Sequence, residues 1–357
     1  MKYLFSCSNP YQIMVAALLR MQFVSDYDQA DIIITDTFAG YAKIVERINE
    51  TNFFRNVFVA NVKNIIIPRN RTDKYNKVAF FFNYKKCLPK LKSTYDYFFY
   101  NNEDIYTYNT ITFLKINNSK CCVCRFEEGY SSYTNLISAS LKSQCAIKIR
   151  NFFLKNVSIK NDYFYVFEPD LLMRKYTEAV TKIERKHITE ESYKKFVSYI
   201  FQVDKAIKTY DKPYVIFEES FVADGFDIDD LNVYQKIINY FGKNNFTVKM
   251  HPRSLRNRFE NIVDDVKIPD GIPWEAIALN IDRDNLILLA LGSGSVINSR
   301  LLLGNSIKAV LLFECLELRP PAFNEYFIVF IKKFCEKYGD NVYVPHNIEE
   351  ALKILHE

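Results

Sequence analysis

The chain has 357 residues, 49% hydrophobic and 25% charged, a composition that excludes a disordered polymer and leaves room for two folded domains. No apolar run reaches the ~20 residues of a membrane span, and the opening MKYLFSCSNPYQ turns polar too soon for a secretory signal. A cytoplasmic protein is expected, able to sit peripherally on the inner face of the membrane. The net charge of +5 is modest but uneven. Lys142, Lys148, Arg150, Lys155 and Lys160 occupy a stretch without acids, near Phe152, Phe153 and Leu154. Arg69, Arg71, Lys74, Lys77, Lys85, Lys86 and Lys90 face Asp73 alone between Lys63 and Lys92. Such stretches suit an anionic membrane or polymer, or a solvated basic face.

The first predicted strand is Tyr3 to Cys7. Ser8-Asn9-Pro10 then supplies capping chemistry and a first-turn proline for a helix from about Tyr11 to Phe23. Strands follow at Asp31 to Thr35 and Asn56 to Ala60, around a helix at Tyr41 to Ile48. Strand alternating with helix is the pattern of a doubly wound sheet, which Tyr95 to Tyr100 and Cys121 to Phe126 extend. Cys121, Cys122 and Cys124 read as small buried apolar residues of that last strand, not as metal ligands. A basic helix from Tyr133 to Lys155, a strand at Tyr163 to Phe167 and a long helix from Ile188 to Ala206 complete a domain over residues 1–211. Asp211-Lys212-Pro213 marks the boundary.

A second series over 212–357 opens with the strand Tyr214 to Phe217. It continues through a helix at Asn232 to Phe241, a strand at Phe246 to Met250, a helix at Trp274 to Leu279 and a strand at Asn285 to Ala290. A helix at Val296 to Leu303, a strand at Ala309 to Phe313 and a last helix, Ile348 to His356, able to return to the first domain, complete it. The fold class expected is α/β, GT-B-like, with two Rossmann-like doubly wound domains facing across a cleft.

Open α/β sheets bind ligands beyond the carboxyl ends of their strands, which singles out certain corners. His251-Pro252-Arg253-Ser254 ends a strand with an imidazole, a fixed corner and a cation suited to a phosphate. Glu127-Glu128-Gly129 ends another. Adjacent acids repel each other, and one that is partly desolvated at a buried strand end has its pKa raised toward the range of a general base; the other reading of the triplet is a solvated turn. Gly292, Ser293, Gly294 and Ser295 precede a helix, where backbone N–H groups and the helix dipole make an anion site. Glu275, after Pro273-Trp274, suits ribose hydroxyls or a base amine, or simply the helix dipole. Asp224, Asp227 and Asp229 follow a strand and are alternative bases. Asp282-Arg283-Asp284 resembles a metal-binding DxD but precedes its strand, so no metal is expected.

Glu127-Glu128-Gly129, His251-Pro252 and the Ser293/Ser295 pair, in that order, resemble the D/E-D/E-G, HP and Ser-rich motifs of bacterial sialyltransferases. The opening SNPYQ and the IPWE ending at Glu275 resemble glycosyltransferase family 52, the lipooligosaccharide and capsule sialyltransferases. This resemblance implies inverting, metal-independent transfer of sialic acid to a terminal galactose, α-2,3 in linkage, with CMP-sialic acid as co-substrate and no cofactor. It implies Glu127 or Glu128 as base, and His251 as donor of a hydrogen bond or proton to the departing phosphate. Ser293 and Ser295 would hold that phosphate, and Glu275 the ribose or cytosine, with Pro252, Arg253, Gly292 and Gly294 beside them. The expected partners are the nucleotide sugar, a galactose-terminated glycan and an anionic membrane surface, without nucleic acid; a homodimer is admissible. The competing readings are a transferase using a UDP-linked hexose and a non-catalytic module for anionic polymers.

Overall fold

A computed structural model describes residues 1–85, 88–91, 94–134, 159–281, 285–304 and 307–357, the side chain of residue 340 excepted. The expected helix through Lys155, with its basic residues up to that point, and the Asp282–Asp284 triplet lie outside the described residues, apart from a short helix at Ser131–Thr134. The chain forms two compact units, Met1–Ile200 and Phe201–Glu357.

The first unit is built on β1 (Lys2–Cys7), β2 (Gln29–Thr35), β3 (Asn56–Ala60), β4 (Tyr97–Tyr100), β5 (Cys122–Phe126), β6 (Tyr163–Val166) and β7 (Ala179–Lys182). They form one sheet in the order β3-β2-β1-β4-β5-β6-β7, every pairing parallel. Parallel sheets are covered on both faces, so their strands are apolar on both; β1 and β2 are buried over nearly their whole length. Aromatic residues fill one face. Tyr3 stacks on Tyr97 and Phe5 on Phe99 at ring distances of 5.0 and 4.9 Å, and Phe99 meets Tyr165 at 5.6 Å. The high aromatic content therefore packs the sheet in this unit.

The second unit repeats the plan with β8 (Tyr214–Phe217), β9 (Phe246–Lys249), β10 (Asp265–Lys267), β11 (Ile287–Ala290), β12 (Lys308–Leu311) and β13 (Val342–Tyr343). Its order is β10-β9-β8-β11-β12-β13, again parallel. Strand order reverses between β1 and β4 and between β8 and β11. These are the switch points where crossovers diverge and leave a crevice. The fold class is as the sequence implied: two Rossmann-like, doubly wound α/β units of GT-B type.

Side-chain caps start many of the helices. Asn9 accepts the Gln12 N–H ahead of Pro10–Phe23, and Asp104, Asn324 and Asn347 do the same for Ile105–Asn117, Glu325–Tyr338 and Ile348–His356. The expected long helix ending at Ala206 is in fact two, Glu191–Phe201 and Val203–Ile207, because Gln202 adopts a left-handed φ of 57° between them. Val203 and Ala206 are buried, their helix packs on Trp274–Asn280, and Tyr210 lies 5.4 Å from the Trp274 ring. The second unit thus begins before the 211–213 turn. The last helix packs on Asp230–Phe241 and is tied by Lys308 to the Ile354 carbonyl, both within that unit.

Candidate active site

β8 is the central strand of the second unit's switch point, and it ends in two carboxylates. Glu218 is buried and accepts the backbone N–H of His251, just beyond β9, at 3.1 Å. Glu219 accepts the N–H of Gly292, beyond β11, at 3.0 Å. Successive residues of an extended chain point to opposite sides, so one short segment pins both neighbouring corners. Burial pushes the Glu219 carboxyl up to about 7 against the pull of the Gly292 and Leu291 N–H groups. Arg258 pairs with Asp230 at 2.5 Å and stands 3.8 Å from Glu218, supplying positive charge behind the pair.

The corner after β9 is a turn closed by the Ser254 N–H on the His251 carbonyl at 2.9 Å, with Pro252 in the position where its fixed φ favours turning. The Arg253 N–H donates to His251 Nδ1 at 3.1 Å. A neutral imidazole that accepts on Nδ1 carries its proton on Nε2, and Nε2 has no partner among the described residues. Burial, then the Arg253 guanidinium, lower the His251 pKa to about 4. At neutral pH the ring is an uncharged donor of one hydrogen bond. The Arg253 guanidinium itself is held by Asp224 and by Ser220 Oγ, each at 2.7 Å.

Beyond β11, Gly292 serves packing. A Cβ there would meet the Phe323 ring at 2.6 Å and the Phe327 ring at 2.9 Å, and its N–H is already taken by Glu219. The N–H groups of Gly294 and Ser295, in the first turn of helix Gly294–Leu303, have no acceptor among the described residues. Ser293 is the N-cap and its hydroxyl makes no capping bond. Two open amides, a hydroxyl and the positive end of a helix dipole are a ready anion site. Glu275 is buried, accepts a hydrogen bond from Asn298 of this helix, and is pushed up to about 7 by burial.

In the first unit, Glu127 follows β5 and is fully buried. Its carboxylate accepts the Tyr11 hydroxyl at 2.6 Å, the Phe167 N–H at 2.9 Å and the Tyr133 hydroxyl. Burial outweighs these bonds and places its pKa at about 7. Glu128 is only part-buried. Its carboxyl is also raised by desolvation and touches Ser131 Oγ at 3.3 Å. Gly129 adopts a φ of 104°, which lets the chain turn after the pair. The Ser8–Gln12 segment organises this end of the sheet: Tyr11 reaches Glu127, while Gln12 accepts the Ser8 N–H at 2.5 Å and donates to Asn102 beyond β4 at 3.4 Å.

The structure thus ties His251 and the Gly292–Ser295 turn into one network, and keeps Glu127 and Glu128 together in the first unit. Asp224, Asp227 and Asp229 are exposed, with Asp224 committed to Arg253 and Asp229 accepting from Asn232 at 2.9 Å. Glu218 and Glu219 were missed. The available signal was their place directly after a buried strand, the rule that singled out Glu127 and Glu128.

Among solved structures the chain resembles Arabidopsis thaliana UGT89C1 complexed with UDP-L-rhamnose, with a TM-score of 0.55 and 9% identity over 100% of this chain and 89% of that one. It also resembles the S. aureus MnaA–UDP co-structure, with a TM-score of 0.50 and 11% identity over 100% and 87%. At such identity the likeness is one of fold. No curated protein matches the chain. The family model that matches, over residues 3–312, is that of alpha-2,8-polysialyltransferase (POLYST). That span holds both acid-bearing strand ends, the His251 corner and the Gly292–Ser295 turn, and the chain belongs to the alpha-2,8-polysialyltransferase family.

Proposed function

We propose that the chain transfers sialic acid from CMP-sialic acid to a glycan hydroxyl in a single inverting displacement. The observation that carries this reading is the Glu218–Glu219 pair, which holds a neutral His251 with an open Nε2–H and the open amides of Gly294 and Ser295 on strands flanking β8. A nucleotide phosphate fits that set. Ser293, Ser295 and the amides take its oxygens, and His251 donates a hydrogen bond to the bridging oxygen. The ring stays neutral while the Arg253 N–H occupies Nδ1, so His251 stabilises departing CMP through this hydrogen bond and keeps its own proton, whose loss would leave an imidazolate.

The chemistry matches these groups. As the bond from the anomeric carbon to phosphate oxygen breaks, its electron pair leaves with CMP, and the acceptor oxygen supplies the new bond. The acceptor's proton goes to a carboxylate of the Glu127–Glu128 pair, where Glu127 has the pKa suited to a base at neutral pH and Glu128 the exposure. The transition state develops charge on the phosphate, so fixed donors there supply most of the stabilisation. Glu275 helps place the nucleoside by supporting the helix through Asn298, and Pro252 and Arg253 shape the corner. Asp224, Asp227 and Asp229 are the reserve candidates for the base.

The family description favours a terminal sialic acid as acceptor, joined α-2,8. The motif resemblance to family 52 favours a terminal galactose, joined α-2,3. The deciding experiment incubates the chain with CMP-sialic acid and labelled lactose, sialyllactose or a short oligosialic acid, with and without EDTA. Extension of the sialylated acceptors alone supports α-2,8 transfer, and extension of lactose supports α-2,3. No product, with UDP rather than CMP raising the melting temperature, would replace the donor by a UDP-linked hexose.

A further inference from the structure

The helix Arg71–Phe82 lies on the crossover from β3, an edge strand, to β4. It buries Phe80. On its other side Tyr75 and Val78 are 73% and 59% exposed, and Phe82 is 47% exposed. Positions three and four apart share one stripe of a helix, so these three form a continuous apolar line facing away from the core. Ile67, before the helix, is 55% exposed. A surface helix ordinarily turns polar residues to solvent; this one is apolar on both sides.

The segment that carries this stripe is cationic. Arg69, Arg71, Lys74, Lys85 and Lys90 are exposed. The only acid between Lys63 and Lys92 is Asp73, and its carboxylate is turned back on the Arg69 N–H at 3.0 Å. Apolar side chains accompanied by long-stemmed cations are the makings of an interfacial helix. The apolar groups enter the headgroup boundary, a Tyr ring sits at its polar level, and the cations reach lipid phosphates.

We propose that this face docks the first unit onto an anionic lipid bilayer, with Ile67, Tyr75 and Val78 inserted and Arg69, Arg71, Lys74 and Lys85 on the headgroups. Among the described residues no helix is long and apolar enough to cross a membrane, so this contact is of the peripheral kind. Charge complementarity selects the occupant, since five exposed cations of this segment stand against one acid, Asp73, that is already bound to a backbone N–H.

The test is sedimentation of the full chain with vesicles of phosphatidylcholine alone or mixed with phosphatidylglycerol. Binding to the anionic vesicles alone, weakening with salt, is expected. Tyr75→Ser with Val78→Ser should lower partitioning at least tenfold, and Arg71→Gln with Lys74→Gln about fivefold for each cation removed. All four side chains are outside the core, so melting temperature and turnover on soluble substrates should stay at wild-type values. Equal binding to neutral vesicles, or variants that partition like the wild type, would overturn the proposal. So would a Tyr75/Val78 variant that loses only a dimer, which makes the face a self-association surface. Binding to soluble polyphosphate without any to vesicles would assign the cations to a polymer instead.

Discussion

The two units share one strand order and use it in opposite ways. In the first, the crevice between β1 and β4 is filled by the chain's own groups: Gln12 is buried and bridges Ser8 to Asn102, and Glu127 is enclosed by Tyr11 and Tyr133. In the second, the residues at the switch point turn their binding capacity outward. Glu218 and Glu219 satisfy backbone groups behind the site and leave His251 Nε2 and the Gly294 and Ser295 amides open. A strand order shared over six strands therefore specialises by what occupies the strand ends. The sealed end spends its donors on its own carboxyl, and the open end leaves donors of the kind an anion would take.

The largest effect should come from the open end. His251→Ala is expected to lower kcat by about 100- to 10,000-fold, the usual range for removing a general acid or hydrogen-bond donor at the leaving group. The fold should survive, because His251 is half-buried in a turn and its backbone N–H bond to Glu218 does not need the ring. Normal turnover in a folded His251→Ala protein would remove the imidazole from the mechanism.

The sealed end gives the next test. Glu127→Gln and Glu128→Gln should differ by orders of magnitude in kcat. The carboxyl of Glu127 titrates at about 7, so as the base it would be active when ionised, and kcat would fall as pH drops below that value. Loss of this acidic limb in one Gln variant identifies the base. Equal, mild losses in both would return the role to Asp224, Asp227 or Asp229.

Much of this comparison was legible in the sequence, and the reason is local. A buried parallel strand reads as an apolar run, and its end is the first polar residue after it; Glu127, His251 and Ser293 were found that way. The partners of those residues were not legible. Tyr11 and Glu127 are 116 positions apart, and Gly292 and Glu219 are 73. Only the register of β8 against β11 brings the latter two together. Gly292 reads as a phosphate-binding glycine, yet the space where its Cβ would stand belongs to Phe323 and Phe327. The edge strands β7 and β10 escaped notice because AVTK and DVK are short and polar.

The positioning role of the carboxylate pair predicts a smaller, more selective effect. Glu219→Ala leaves the Gly292 N–H buried without an acceptor, a loss of about 1–3 kcal/mol, and loosens the turn that carries Ser293. KM for the donor should rise roughly tenfold while kcat changes less. Glu219→Gln keeps an accepting oxygen and should restore KM. A KM that is unmoved by Glu219→Ala, or unrescued by Gln, would make the residue a purely structural one.

The smallest effect is on stability. Glu275 is raised to about 7 by burial, from 4.5 in an open chain. A carboxyl whose folded pKa is the higher one favours the folded state in its protonated form. Its contribution is complete below about 4.5 and is lost as pH rises through about 7, each tenfold difference in proton affinity amounting to about 1.4 kcal/mol. His251, lowered to about 4, acts oppositely: its contribution is present above 6.5 and fades as pH falls through 4. The comparison that isolates Glu275 is therefore the melting temperature of wild type and Glu275→Gln across pH 5 to 8. The wild type should lose ground to the variant as pH rises, because Gln can still meet Asn298 but has no proton to lose. Parallel curves would mean that the buried carboxyl is held ionised by Lys249 throughout.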